Sequence, residues 1–157
     1  MRNTFLNLMT LLGLVVFSFS CGEKSSDPEP QKTPEELATE ELAGNGSETW
    51  IVAGGGSVQR DGRSETNIYQ NFEITFTTNR TYQTINSNSL FDASGNWAFA
   101  QGRVDIIVLT GSAPAANQEI SFTRNGNNLT LQFNVPMPGA RVEAVAGNYT
   151  FNLRRKQ

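Results

Sequence analysis

Residues 44–157 predict an all-β domain, an eight-stranded antiparallel up-and-down barrel, on three observations. From Trp50 onward no stretch sustains the 3.6-residue apolar period of a surface helix. Eight segments alternate apolar and polar residues with period two instead: 49–53, 68–77, 81–85, 96–100, 103–110, 119–124, 128–135 and 148–154. Short separators carry turn chemistry at Asn79-Arg80, Ser94-Gly95, Gln101-Gly102 and Asn125-Gly126-Asn127, where Gly or Asn supplies positive φ. Strands joined by successive hairpins form a meander, and eight of them lose their exposed edges by closing into a barrel. A two-sheet sandwich of the same strands is the competing arrangement.

The chain has 157 residues, but the first 43 are of a different kind. Met1-Arg2 supplies one positive charge, residues 5–19 form a nearly apolar run, and Ser20 is a small residue before Cys21. That order is the pattern of a secretory signal over residues 1–20, too short for a comfortable membrane span, although an uncleaved anchor remains the alternative. Cys21 is the only cysteine. Its place at the end of the apolar run, before Gly22 and a polar stretch, resembles the lipobox of bacterial lipoproteins, with Ser18 standing where Leu is usual three residues before the cysteine. The resemblance implies a Cys21 diacylated on sulfur that becomes the mature N-terminus. Two or three acyl chains hold a protein on a membrane where one does not. An unmodified thiol is the other reading.

Residues 21–43 then read as the lipidated cysteine, an acidic tether and a short helix. Lys24 and Lys32 face seven acidic residues between 22 and 43, a local charge of −5, so the chain's net −3 belongs to this segment while residues 44–157 carry +1. Residues 25–32 (SSDPEPQK) lack aromatics and apolar periodicity and are expected to be disordered. Acidic residues behind a lipidated cysteine also resemble the surface-export signals of some Gram-negative lipoproteins, or serve simply as a solvated leash. Thr33, Pro34 and Glu36 have the spacing of a capping box with proline at the first helical position, predicting a helix from Pro34 to Leu42 that ends at Gly44. Leu37, Ala38 and Leu42 are its candidates for touching the domain.

Within the strands, alternation assigns faces. Phe72, Ile74 and Phe76 fall on one side, as do Leu129, Leu131, Phe133 and Val135, and likewise Tyr149, Phe151 and Leu153. The glycines at 54–56 read as a flexible connection, since neither the Lys-Ser/Thr nor the helix of a phosphate loop follows. Residues 136–147 contain Met137, Val142 and Val145, unusually apolar for a solvated loop, and are expected to cover a barrel mouth or hide an extra strand.

The order of short helix, Thr49-Trp50 opening the first strand, YxxFxITF at Tyr69–Phe76, Thr81-Tyr82, SGNWAF at Ser94–Phe99 and NYTFNL at Asn148–Leu153 resembles the lipocalin-like domain of small secreted bacterial lipoproteins. The Gly-x-Trp of true lipocalins is not met, because Gly46-Ser47-Glu48-Thr49-Trp50 is spaced more widely. The resemblance implies a Trp on the first strand packed beneath an Arg from the far end of the chain, here Trp50 with Arg154 or Arg155. It also implies a barrel with room for a small apolar ligand. Within that reading Tyr82, Trp97, Phe122 and Tyr149, the bulky or amphipathic members of the alternating sets, are the candidate lining residues.

Composition narrows the chemistry. With no His and a single Cys, His-based triads, Cys/His zinc sites and intrachain disulfides are excluded, and Ser residues lack an activating base. Glu73, Asp92, Asp105 and Glu119 are the carboxylates formally open to pairing, though each occupies a strand or loop position where a solvated charge is ordinary. Basic residues are scattered apart from Arg154-Arg155-Lys156, which argues against nucleic acid. The expectation is therefore a non-enzymatic lipoprotein of the cell envelope, anchored to the outer membrane through Cys21 and binding a small hydrophobic or amphipathic ligand, without cofactor or metal. The alternative is an accessory lipoprotein whose barrel is filled by its own side chains, these aromatics included, and whose outer loops act on a protein or glycan.

Overall fold

A computed structural model describes residues 31–137 and 145–157. The expected signal, Cys21, most of the tether and residues 138–144 of the apolar loop lie outside the described residues.

The helix forms where the capping chemistry puts it. In α1 (Pro34–Ala43) the Glu36 amide donates to Thr33 Oγ1 at 3.2 Å, and the Thr33 amide donates to Glu36 Oε2 at 2.7 Å. At the other end the Gly44 amide, at φ +59°, closes on the Glu40 carbonyl at 3.0 Å. Ala38, Leu42 and Ala43 are buried, but Leu37, expected to touch the domain, remains 51% exposed. One compact unit runs from Lys32 to Gln157, so the helix packs with the barrel.

The strands are β1 (Ser47–Ile51), β2 (Ser57–Arg60), β3 (Arg63–Ser64), β4 (Glu73–Thr77), β5 (Thr81–Ile85), β6 (Ser94–Phe99), β7 (Ile106–Leu109), β8 (Glu119–Asn125), β9 (Asn128–Val135) and β10 (Gly147–Arg155). All neighbours are antiparallel in the order β1-β4-β5-β6-β7-β8-β9-β10, and β10 returns to β1 through Trp50↔Arg155 and Ile51↔Arg154. These eight strands close the barrel. β2 continues along the same edge of β10, through Ser57↔Asn152 and Val58↔Phe151, and carries β3 as a hairpin. The first barrel strand is thus one long strand interrupted at residues 52–56. The Gly56 amide reaches back to the Val52 carbonyl at 2.8 Å, and a side chain at Gly56 would meet backbone oxygens of Val52 and Asn152 at 2.7 Å, so glycine is required there.

Three expectations change in detail. The glycine-rich connection is an ordered turn leading into the β2–β3 hairpin. The segment from Ile68 is extended only from Glu73, because Tyr69 and Phe72 lie in turns closed by Tyr69 N–H to Thr66 O and Phe72 N–H to Tyr69 O, at 3.2 and 2.8 Å. Ser94-Gly95 belongs to β6 itself, and the preceding connection is residues 86–93.

The inner face is apolar along every long strand. Burial alternates through Phe72, Ile74 and Phe76, through Leu129 to Val135, and through Tyr149, Phe151 and Leu153, as the sequence pattern predicts. At the end away from α1, Phe91 from the β5–β6 connection stacks on Phe72 at 5.4 Å and meets Phe133 and Phe151 edge-on at 5.5 and 5.6 Å. Leu90 and Ala115 are fully buried beside it, joined by Ala115 N–H to Leu90 O at 3.0 Å. The loops therefore plug the end of the barrel. Outward positions such as Gln83, Thr123, Gln132, Asn134 and Asn148 are amides and hydroxyls. Polar outside and apolar inside is the reverse of a membrane-spanning barrel. Among the described residues no helix is long and apolar enough to cross a membrane.

Candidate functional site

The four residues predicted to line an interior cavity are instead packed into the core. Tyr82 is 1% exposed, and its hydroxyl donates to the Thr110 carbonyl at 2.8 Å. Tyr149 lies face to face with Phe133 at 5.3 Å, with its hydroxyl on the Val145 carbonyl at 2.9 Å. Phe122 stacks on Phe99 at 6.4 Å. Trp97 meets Phe76 edge-on at 6.0 Å, and its Nε1 donates to the Thr77 carbonyl at 3.2 Å. Burial pushes the Tyr82 phenol up to about 12, helped by the Asp92 charge, and raises that of Tyr149, so both remain neutral donors. Each hydroxyl is satisfied by a backbone carbonyl, as buried phenols require.

The Trp–Arg pair exists with a different arginine. Trp50 is fully buried and donates Nε1–H to the Leu42 carbonyl at 2.8 Å, and the guanidinium over its ring is that of Arg124, 5.1 Å from the centroid. Arg124 also donates from Nη1 to the Glu40 and Glu41 carbonyls at 3.1 Å and from Nε to the Gly126 carbonyl at 2.9 Å. It caps the C-terminus of α1, where a cation meets the negative end of the helix dipole. Arg154 instead bonds Asn128, and Arg155 pairs with Glu48 at 2.6 Å. Arg155 stands opposite Trp50 across the ladder and on the same face, but its guanidinium is taken by Glu48, two residues before Trp50, while Arg154 falls on the other face.

An open cleft lies beside the first turn of α1, where the β4–β5 and β6–β7 connections meet. The β4–β5 turn is tight: the Arg80 amide donates to the Thr77 carbonyl at 3.1 Å, the Thr77 and Thr81 hydroxyls bond at 2.8 Å, and Arg80 adopts φ +63°. That conformation is uncommon for a residue with a Cβ. It lays the guanidinium across two rings, 4.3 Å from Trp97 and 4.4 Å from Phe99. Arg80 Nη2 donates to Glu35 Oε1 at 2.7 Å, while Nη1 is buried with no hydrogen-bond partner among the described residues. The cleft has a volume of about 610 Å³ and continues from Arg80 and Phe99 to Val104 and Arg103. Arg103 is already engaged, holding Asp105 in a fork at 3.0 and 3.3 Å that lowers the Asp105 pKa.

Of the predicted lining residues only Trp97 borders this cleft, and it does so from the core side. Sequence reading passed over Arg80, seen only as part of a turn, because its aromatic partners lie 17 and 19 positions away on another strand. The carboxylates weighed for catalysis are dispersed. Glu73 pairs with Lys156 at 2.6 Å, and Asp92 accepts amide hydrogens from Ser112 and Ala113 at 3.0 and 2.9 Å. Asp105 is held by Arg103, and Glu119 is exposed at the start of β8. Among the described residues no group of three or more His, Cys, Asp or Glu is placed to hold a metal ion. Comparison of the chain with protein-family models, with curated proteins and with solved structures finds no match in any of the three.

Proposed function

We propose that this chain is a non-enzymatic lipoprotein of the cell envelope, anchored to the outer membrane through an acylated Cys21, whose barrel binds a small amphipathic molecule on its outside, in the cleft beside α1. The observation that carries the site is the contrast between the two ends of the molecule. The end away from the helix is filled by Phe91, Leu90 and Tyr69, leaving the interior aromatics in contact with one another. The helix-bearing end has an open cleft of about 610 Å³, mostly apolar, with a few convergent polar groups, which is the ordinary composition of a small-molecule site. The membrane reading rests on the signal-like residues 1–20 and the lone Cys21.

Two experiments test the proposal. Full-length chain and its Cys21→Ser variant are expressed in a Gram-negative host and fractionated; the parent is expected in the outer membrane and the variant in the soluble fraction, and equal membrane association overturns the anchor. Binding is read by calorimetry against fatty acids, isoprenoids and oligosaccharides. Val104→Trp fills the cleft at a position already 38% exposed, so it should abolish binding without unfolding the protein. A ligand that still binds this variant lies elsewhere.

A further inference from the structure

We propose that the cleft recognises its ligand by a carboxylate head group, and that Glu35 of α1 occupies the head-group position on Arg80 when no ligand is present. The inference rests on the reading of the cleft as the ligand site and adds the charge of the ligand and the means of its exchange.

The Arg80 guanidinium is fixed in three ways. Its plane is held against Trp97 and Phe99 at 4.3 and 4.4 Å, its backbone is locked in the β4–β5 turn, and its carbonyl accepts the Trp97 amide hydrogen at 2.8 Å. A cation immobilised in this way loses little further freedom on meeting an anion, so its contacts convert efficiently into affinity. Its donors are underused, since Glu35 takes Nη2 at 2.7 Å and Nη1 has no partner among the described residues. An arginine accommodates a carboxylate with two parallel N–H···O bonds, and Glu35 satisfies only one.

Glu35 is poorly placed to be a permanent partner. Its side chain is 64% exposed and sits in the first turn of α1, so water screens the pair and competes for its oxygens. Arg80, by contrast, is 31% exposed and lies against the rings of Trp97 and Phe99. A ligand carboxylate whose hydrocarbon body lies along Phe99, Ala98 and Val104 would exclude that water and keep the anion on Arg80. The other cation of the cleft, Arg103, donates from Nε and Nη2 to Asp105 and is 52% exposed, so the less exposed, ring-stacked Arg80 is the better anchor. Glu35 belongs to the helix and not to the barrel wall, so its displacement requires only a side-chain rotation and leaves the buried face of α1 in place.

The test uses the full-length chain and two probes of equal length, decanoate and 1-decanol, titrated by calorimetry. Wild type is expected to bind decanoate more tightly than decanol. Glu35→Gln removes the competitor and should raise decanoate affinity about two- to fivefold, the scale of an exposed ion pair, with decanol unchanged. Arg80→Gln should weaken decanoate at least about tenfold, the scale of a lost charge-assisted bond, with decanol unchanged. Should Arg80→Gln lower the unfolding midpoint, Arg80→Lys retains charge without the planar fork and should give an intermediate loss. If both probes bind wild type equally and Glu35→Gln alters neither, the head-group assignment is wrong, while loss of both probes in Val104→Trp would keep the cleft as the site. Binding of neither probe to wild type and to Glu35→Gln overturns the assignment together with the cleft. Decanoate binding that survives Val104→Trp overturns the cleft itself.

Discussion

Phe91 is the side chain on which the closed end of the barrel converges, touching rings contributed by three separate parts of the chain. Phe91→Ala should cost about 3–5 kcal/mol, the range for deleting a buried aromatic, read as a fall in the urea midpoint. The neighbouring Asp92 acts through hydrogen bonds. Its carboxylate accepts from the Ala113 and Ser112 amides, which hold its pKa below the ordinary carboxylate value and tie the β7–β8 connection to the β5–β6 connection. A carboxyl with a lowered folded pKa contributes stability that is complete above its unfolded pKa, near 4, and is lost as pH falls through the folded value. Asp92→Asn should therefore lower stability by about 1 kcal/mol at pH 7 and have a much smaller effect near pH 2. Denaturant titrations at the two pH values check this, and an equal loss at both would show that the charge is irrelevant. Gly111 has φ +150°, and a side chain there would run into the Asp92 carboxylate, so Gly111→Ala should disturb the same loop. Alternation made the burial of Phe72, Tyr149 and Phe151 legible in sequence. It carried no information on whether a buried ring faces another ring or a void, which is why Tyr82, Phe122 and Tyr149 were assigned to a cavity that their neighbours fill.

The helix shows what is local and what is not. Its start and stop are encoded within twelve residues, by Thr33, Pro34, Glu36 and Gly44, and were readable because capping involves only near neighbours. Its docking depends on Arg124, more than 80 residues away, and on the Trp50 indole, for which no local pattern exists. A chain beginning at Gly44 loses the Leu42 carbonyl that satisfies Trp50 Nε1 and uncovers the indole, whereas one beginning at Lys32 keeps both. The shorter chain should unfold at a lower temperature and show red-shifted tryptophan emission; identical melting and emission would show that α1 is dispensable. The β2–β3 hairpin was missed for a related reason. Asp61-Gly62 is a hairpin signal, but β3 spans two residues and β2 contributes a single apolar side chain, Val58, so there was no alternation to read.

At the scale of the whole molecule, the barrel is held by one inward set of side chains and one circuit of backbone hydrogen bonds, so it should melt as a unit. Ellipticity in the far ultraviolet should report mostly strand and should decay together with tryptophan emission, and separate transitions would show that the barrel is not one cooperative body. The closure of that circuit sets a timetable. β1 pairs with Arg154 and Arg155, the last strand residues of the chain, so Ser47–Ile51 is synthesised early and must wait for the C-terminus before its second edge is covered. Contacts so distant in sequence make for slow folding, in the range of milliseconds to seconds typical of all-β topologies. A chain emerging from a ribosome or through a membrane pore therefore stays threadable until its final turn is free. A chain ending at Leu153 should refold incompletely and expose an adhesive strand edge, visible as aggregation at concentrations where the full chain stays clear.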